Sequence, residues 1–557
     1  MPYFHPIGQA VVTPRGSAPE IRAREAHLAA SQARILDDRP ARTLERLAGR
    51  QRMTARARVA ALCDENAQVW DLGVFVGQDQ CIPDGPVPLA AGVFCALSRV
   101  CGRMAMIIAN DNTQAAGAWW PGSPEKIVRA QEIALRLGVA VFYLIECAGL
   151  YLPTQNETYA GAAGAGAIFK MQARLNRSGI LQVAAVFGDC IAGGGYMPLL
   201  CDRILMTEQA SICIGGVALN RHSKGGRAVL LGTPATHVHV SGCAEERVPD
   251  DAAALARLRE IAQQLPSSLA DFFRLAEPLS SPYSCQDLYD LLPAGPHETY
   301  DMHNVLARLV DGGLFKALLP EYGQEIVGGL GLVDGLPTLF LANQSLGHSA
   351  EGRARLGGVL YREGIVKLQR LAEDAREDGI PVVWIQDVAG FDIGEEAEAE
   401  GLLRHGARLL RTLTSDSMQN PPSLTILLRK ASGAGFYAMK GTPFEPALIV
   451  ATALTELAVM RPDTLAAAMY DKKIEALDTS PAGLSMKHEL EERRARLIER
   501  QMQAGRVEAA CARGDVDAIV PLGSLRCLVA SFVAASYQSA GRPRKPKRLW
   551  TLLADEV

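Results

Sequence analysis

Apolar and polar positions fall into three regimes along the chain. Residues 18–66 carry Leu, Ile, Ala and Val at helical spacing among Arg and Glu, which predicts one or two amphipathic helices. From Val69 the character changes to short apolar runs separated by glycine and proline, and from about Pro86 to Gly216 strands and helices alternate. Dense runs such as Val139–Ile145 and Pro381–Ile385 are rich in β-branched and aromatic residues and read as buried strands. A helix is predicted from Asp250 to Leu265. The polar, proline-bearing stretch Ser280–His297 reads as a boundary, and from about Thr299 the alternation begins again.

The second alternation repeats the first. LRLGVAVFYLIECAG, ending Glu146-Cys147-Ala148-Gly149, matches REDGIPVVWIQDVAG, ending Asp387-Val388-Ala389-Gly390. Ala109–Asn110 matches Ala342–Asn343, and AGGGY at Ala192–Tyr196 matches SGAGF at Ser432–Phe436. Three ordered matches at a spacing of about 240 residues point to two copies of one α/β unit. In each copy a strand ends in Ala-Asn and a helix follows, Glu125–Leu137 or Gly364–Arg376. A strand then closes on an acidic residue and an Ala-Gly turn, and a further strand, Leu181–Phe187 or Leu424–Leu428, runs into a glycine-rich turn. Such alternation implies a mainly parallel sheet, with ligand sites at the carboxyl ends of the strands. The expected organisation is a helical extension over residues 1–66, a first unit over 67–285 and a second over 286–557.

Composition narrows the class. The 557 residues carry a net charge of −4, and 48% are hydrophobic. That excludes a disordered chain and a strongly basic nucleic-acid binder, so no nucleic-acid partner is expected. The start, MPYFHPIGQA, lacks a basic-then-apolar leader, and no apolar run is long enough to span a bilayer. The 12 cysteines include no CxxC pair, which fits reduced thiols and a cytoplasmic location. No metal site is expected. His237 and His239 alternate as on one face of a strand, but a structural role is favoured for them. The basic run Arg542–Arg548 reads as a solvated tail.

The two glycine turns carry the candidate chemistry. Backbone amides at a strand-to-helix turn have no partner within the helix, and small residues let a ligand approach them. A pair of such amides can stabilise an oxygen that gains negative charge. No phosphate loop, GxSxG elbow or HExxH occurs. An oxyanion site without a protein nucleophile suggests enolate chemistry on a thioester. Glu146 and Asp387, closing equivalent strands, are expected to bond the turn backbone rather than act as acid or base.

Several segments resemble one family. They are GRQRMTARARVAALCDE (Gly49–Glu65), ANDNTQAAGAWWPGSPEKIVRAQEIAL (Ala109–Leu135), ECAGLYLPTQ (Glu146–Gln155), AGGGYMP (Ala192–Pro198) and SGAGFYAM (Ser432–Met439). By these the chain resembles the carboxyltransferase component of biotin-dependent acyl-CoA carboxylases and decarboxylases, in the crotonase-like superfamily. DLYDLLP (Asp287–Pro293), YDMHNVLARLVD (Tyr300–Asp311), GGVLYREGIVK (Gly357–Lys367), VWIQDVAGFDIG (Val383–Gly394) and TELAVMRPDTLAAAMY (Thr455–Tyr470) are most similar to glutaconyl-CoA decarboxylase alpha subunits, and methylcrotonyl-CoA and geranyl-CoA carboxylase subunits share part of them.

The resemblance implies an α/β fold of two tandem crotonase-like domains with an amino-terminal helical extension. It also implies transfer of a carboxyl group between biotin and an acyl-CoA. Gly193 and Gly194 match the amides that hold the thioester oxygen, and Ala434 and Gly435 match those that polarise the biotin urea oxygen. The family gives N1 of biotin the role of carboxyl acceptor or base, so no protein base is needed. The first unit would bind CoA, with candidate contacts at Ala148, Gly149, Leu150, Tyr196, Gly215, Gly216 and Arg129. The second unit would bind biotin.

Two departures bear on this reading. Ala434 stands where many relatives have glycine, which leaves the amide in place. The loop Tyr159–Phe169 is small and apolar, unsuited to a distal carboxylate. No ExMKM motif surrounds Lys440, so biotin is expected on a separate carrier protein. The other expected partners are a biotin carboxylase or a membrane decarboxylase subunit, and at least one further copy of this chain.

Overall fold

In a computed structural model, residues 4–9, 14–78, 80–82, 85–215, 232–265, 268–295, 297–350, 352–414, 421–477 and 480–538 are described. Two sheets dominate. The eight-stranded sheet runs Glu246–Val248, Arg203–Thr207, Gln182–Ile191, Ala140–Cys147, Arg103–Asn110, Val93–Val100, Trp70–Leu72, and Ser211–Cys213 pairs the far end of Gln182–Ile191. In the nine-stranded sheet the order is His5–Pro6, Leu314–Ala317, Ile326–Val333, Leu336–Asn343, Val382–Val388, Ser423–Ser432, Leu448–Ala451, Ala518–Ile519, with Glu456–Ala458 on the far end of Ser423–Ser432.

The central strands pair in parallel, as the alternation predicts. Each sheet also holds one tight antiparallel hairpin, Val93–Val100 with Arg103–Asn110 and Ile326–Val333 with Leu336–Asn343. The two-residue turns are Cys101–Gly102 and Asp334–Gly335, with φ of 52° and 79° and of 52° and 76°. Positive φ at both central residues matches the strand twist and closes the hairpin. The helices after the Ala-Asn strands are Ser123–Leu137 and Arg362–Asp378, each stopped by a left-handed glycine, Gly138 or Gly379.

The amino-terminal extension holds three helices, Ala18–Asp37, Ala41–Gly49 and Ala55–Leu62, where one or two were expected. It is not helical throughout, because His5–Pro6 adds an edge strand to the second sheet through Phe315 and Leu314. Helix Leu525–Gln538 bridges the sheets. The Gln538 amide pairs with both backbone groups of Met104, at 2.7 and 2.8 Å, and the Tyr537 hydroxyl donates to the Pro337 carbonyl at 2.7 Å. No described helix is long and apolar enough to cross a membrane. All twelve cysteines are free.

Candidate functional site

Each glycine turn closes a ten-residue strand. Gln182–Ile191 ends in Ile191 at φ −120°, ψ 143°, and Ser423–Ser432 ends in Ser432 at φ −118°, ψ 140°. The next residue is left-handed in both, Ala192 at φ 53° and Gly433 at φ 54°. A helix follows at once: the one-turn 3-10 helix Ala192–Gly195, running into Tyr196–Leu199, or the α-helix Gly433–Ala438. The structure therefore matches Ala192 with Gly433, one residue beyond the alignment of AGGGY with SGAGF. Gly193 and Gly194 then coincide with Ala434 and Gly435.

Both turns press against the preceding Ala-Gly turn. A Cβ on Gly194 would lie 2.9 Å from the Cys147 carbonyl oxygen, and one on Gly435 would lie 2.6 Å from Val388 Cγ2. Only a residue without a side chain fits either place. Gly193 is half-buried and faces open space, with Trp119 3.9 Å from where its Cβ would stand. Ala434 is exposed. In the α-helix the amides of Gly433, Ala434 and Gly435 precede the first intrahelical bond and point outward.

Ala148, Gly149 and Leu150 lie beside the first turn. The Ala148 amide donates to Ala116 at 3.1 Å, the Gly149 carbonyl accepts from Trp119 at 2.8 Å, and Leu150 bridges Trp119. Gly390–Phe391 pairs with Val359–Leu360 at the corresponding place in the second half. Tyr196 is exposed and meets Phe169 edge-on, and Phe169 packs on Trp119. Leu152, Tyr159 and Ile214 are exposed as well, as are Leu356, Ile393, Tyr437 and Val459 in the second half. Gly215 follows Ser211–Cys213, while Gly216 lies outside the described residues, as does the tail Arg542–Arg548.

Three expectations need correction. Arg129 is not free for phosphate. Its guanidinium grips Asp517 with two bonds of 2.8 Å and the Pro446 carbonyl at 3.1 Å, tying the first half to the second. Glu146 bonds side chains rather than the turn backbone: Arg52 at 2.5 Å, and Arg58 and Asn112 at 3.1 Å. Asp387 does bond backbone, accepting from the Lys430 amide at 3.2 Å. His237 and His239 sit in helical turns over Pro234–Ser241, not on a strand, because Pro234 and the Thr233 cap start a helix. Both His237 ring nitrogens are engaged, with Ile212 O at 2.8 Å and Ser241 Oγ at 2.9 Å. No metal-holding cluster occurs among the described residues.

Sequence reading missed a buried charge network under the first turn. Arg58, fully buried, joins Glu146 to Asp251 (2.8 Å) with Phe187 against its guanidinium face. Arg52 occupies the room above Gly188, donating to the Phe187 carbonyl at 2.8 Å. Their helical spacing in the extension gave no sign of a destination far along the chain. Lys440 is also buried. Its ammonium donates to the Leu413 carbonyl at 2.9 Å, and burial pushes its pKa down to about 8.

Residues 48–549 match the carboxyl transferase domain family. The chain is 31% identical over 484 residues to the glutaconyl-CoA decarboxylase subunit alpha of Acidaminococcus fermentans, covering 82% of this chain and 81% of that one. It is 33% identical over 411 residues to the biotin-dependent 3-methylcrotonyl-coenzyme A carboxylase beta1 subunit of Mycobacterium tuberculosis, covering 73% and 74%. Among solved structures, the geranyl-CoA carboxylase beta subunit of P. aeruginosa superposes with a TM-score of 0.81 at 23% identity, covering 98% of this chain and 99% of that one. That likeness gives the fold, two tandem crotonase-like units behind an amino-terminal extension.

Proposed function

The chain belongs to the carboxyl transferase domain family, and from that premise we propose that its two glycine turns serve the two reactants of a biotin-dependent carboxyl transfer to or from an enoyl-CoA. The class of enzyme, a biotin-dependent acyl-CoA carboxyltransferase, follows from membership. What carries the finer reading is the equivalence of the turns: one strand length, one left-handed residue and one pair of small residues in each half.

In this reading the amides of Gly193 and Gly194 donate to the thioester oxygen. They stabilise the charge that develops there as the acyl carbon gains or loses its carboxyl group. Donors of this kind contribute about 3 kcal/mol each when fixed in advance. The amides of Ala434 and Gly435 donate to the urea oxygen of biotin. Biotin, when bound, supplies the nitrogen that carries the carboxyl group. The second turn fits such a ring: Gly435 leaves no side chain over Gly390, and the exposed Ala434 keeps its amide accessible.

Exposed apolar side chains around both turns support two further points. Tyr196, Leu152 and Tyr159, with Phe169 and Trp119 beneath, favour an apolar acyl group. Tyr437 and Val459 flank the second turn, and Leu356 and Ile393 are also exposed in the second half. Facing two such surfaces across a pair of subunits would bury both, so the working unit is at least a homodimer. The first domain of one copy, residues 67–285, would then complete the site with the second domain of the other, residues 286–557, and residues 1–66 would form the extension. Biotin arrives on a carrier protein and is carboxylated by a separate biotin carboxylase.

Carboxyl exchange between free biotin and a panel of acyl-CoAs tests the reading. Turnover of apolar enoyl-CoAs is expected, and activity confined to saturated acyl-CoAs overturns the enoyl preference. The Acidaminococcus relative, a glutaconyl-CoA decarboxylase subunit alpha, favours a second reading in the decarboxylase direction, for which we infer a sodium-pumping complex with a membrane partner. Co-purification with a multi-span membrane protein rather than a biotin carboxylase would select it.

A further inference from the structure

The two halves agree in backbone up to their glycine turns, yet they differ in charge at one matched position. Asp189 stands three residues before Ala192, and Lys430 stands three residues before Gly433. Asp189 is exposed and accepts from Ser211 Oγ at 2.7 Å. The Lys430 side chain is only 20% exposed. Its Nζ lies 3.7 Å from Asp387 Oδ1, too far for a hydrogen bond, and that oxygen already accepts from the Lys430 backbone amide.

Every fully seated lysine in the fold behaves differently. Lys126 donates to the carbonyls of Ala90 and Val93, Lys367 to those of Leu319 and Ile326, and Lys440 to that of Leu413. The Lys430 ammonium has no hydrogen-bond acceptor among the described residues. Room is left in front of it by Gly358, where a Cβ would stand 3.7 Å from Nζ. The neighbouring Arg429 does not share its situation, because its guanidinium donates to the Glu298 and Gly295 carbonyls at 3.0 and 2.8 Å. A mostly buried ammonium with open donors at the mouth of a turn is built to meet an anion.

We propose that Lys430 contacts a carboxylate attached to the biotin ring, so that the second turn selects the charged reactant and the first turn, fronted by Asp189, selects the uncharged thioester. The proposal rests on the assignment of the second turn to biotin. The swap of aspartate for lysine at matched positions then tells the two reactants apart by charge, where the turns themselves are alike.

Calorimetry on the full chain tests this with biotin and two derivatives that differ only at N1. One carries a carboxymethyl group, the other its uncharged methyl ester. Wild-type protein is expected to bind the acid on the order of tenfold more tightly than the ester. Lys430→Gln and Lys430→Met should bring the two affinities within about twofold, and Lys430→Arg should keep the preference. Equal affinities in the wild type overturn the proposal without any variant, as does a preference that survives in either neutral variant. If neither biotin nor either derivative binds the wild type, the biotin assignment itself fails, and the role of Lys430 with it.

Discussion

Lys126 and Lys367 occupy the same place in the two halves and are held in the same way. Each projects from the helix after an Ala-Asn strand and seats its ammonium on backbone carbonyls at the start of the preceding hairpin: Ala90 and Val93 for Lys126, Leu319 and Ile326 for Lys367. The repeat therefore extends to buried charge. Burial pushes both groups down to about 8, since the loss of water outweighs the pull of nearby carboxylates, Asp71 and Asp111 on Lys126 and Glu325 on Lys367.

That depression has a measurable sign. Between about pH 8 and a lysine's ordinary 10.5 the unfolded chain holds more protons at these sites, so their contribution to stability rises with pH. Buried thiols act in the opposite direction. Burial pushes Cys95 up to about 11 and Cys147 up to about 12 and raises Cys190, Cys201 and Cys511 as well, so above their ordinary 9.0 the unfolded chain loses protons first at five thiols against three lysines, and stability falls. Tm measured against pH should therefore climb from pH 8 and turn over near pH 9. Replacing Cys147 with serine should move the turnover upward.

Arg58 makes the sharpest stability prediction. Arg58→Met leaves Asp251 a buried charge without its ion-pair partner and Glu146 with Arg52 alone, and the expected loss is about 3–5 kcal/mol in denaturant titration. The double variant with Asp251→Asn should recover part of that loss, because the stranded charge is removed.

Gly193→Pro removes an amide hydrogen at the first turn without crowding Cys147, because a Cβ there meets nothing nearer than Trp119 at 3.9 Å. Acyl-CoA turnover with free biotin should fall by on the order of 100-fold or more, while the subunit assembly, measured by light scattering, stays as in the wild type. Unchanged turnover would remove the first turn from the mechanism.

Arg129 sets up a contrast. Arg129→Ala should lower stability and leave the affinity for acyl-CoA, read by calorimetry, within about twofold. A double-mutant cycle with Asp517→Asn should show coupling of about 1–3 kcal/mol, since Asp517 is nearly buried and the pair is bidentate.

The duplicated α/β unit was legible because its strands are short apolar runs closed by small-residue turns, a pattern that local chemistry dictates. Gly194 and Gly435 stood out for the same reason, as positions where a side chain has no room. Arg129 and Glu146 were misread because their partners, Asp517 and Arg52 and Arg58, come from distant stretches that periodicity cannot connect. The exact register of the turns was also hidden. Ala192 adopts the left-handed conformation that Gly433 adopts, and an alignment by glycine places it against Ser432 instead.

The clasp of helix Leu525–Gln538 on Met104 and Pro337 bears on how this protein is made. Met104 and Gln538 are 434 residues apart in the chain. The hairpin strand Arg103–Asn110 leaves the ribosome early and waits for nearly the whole of synthesis before that contact can form. Until then the seam between the halves stands open and apolar. Splitting the gene between the two units, or stopping translation before Leu525, should yield protein that depends on chaperones to stay in solution.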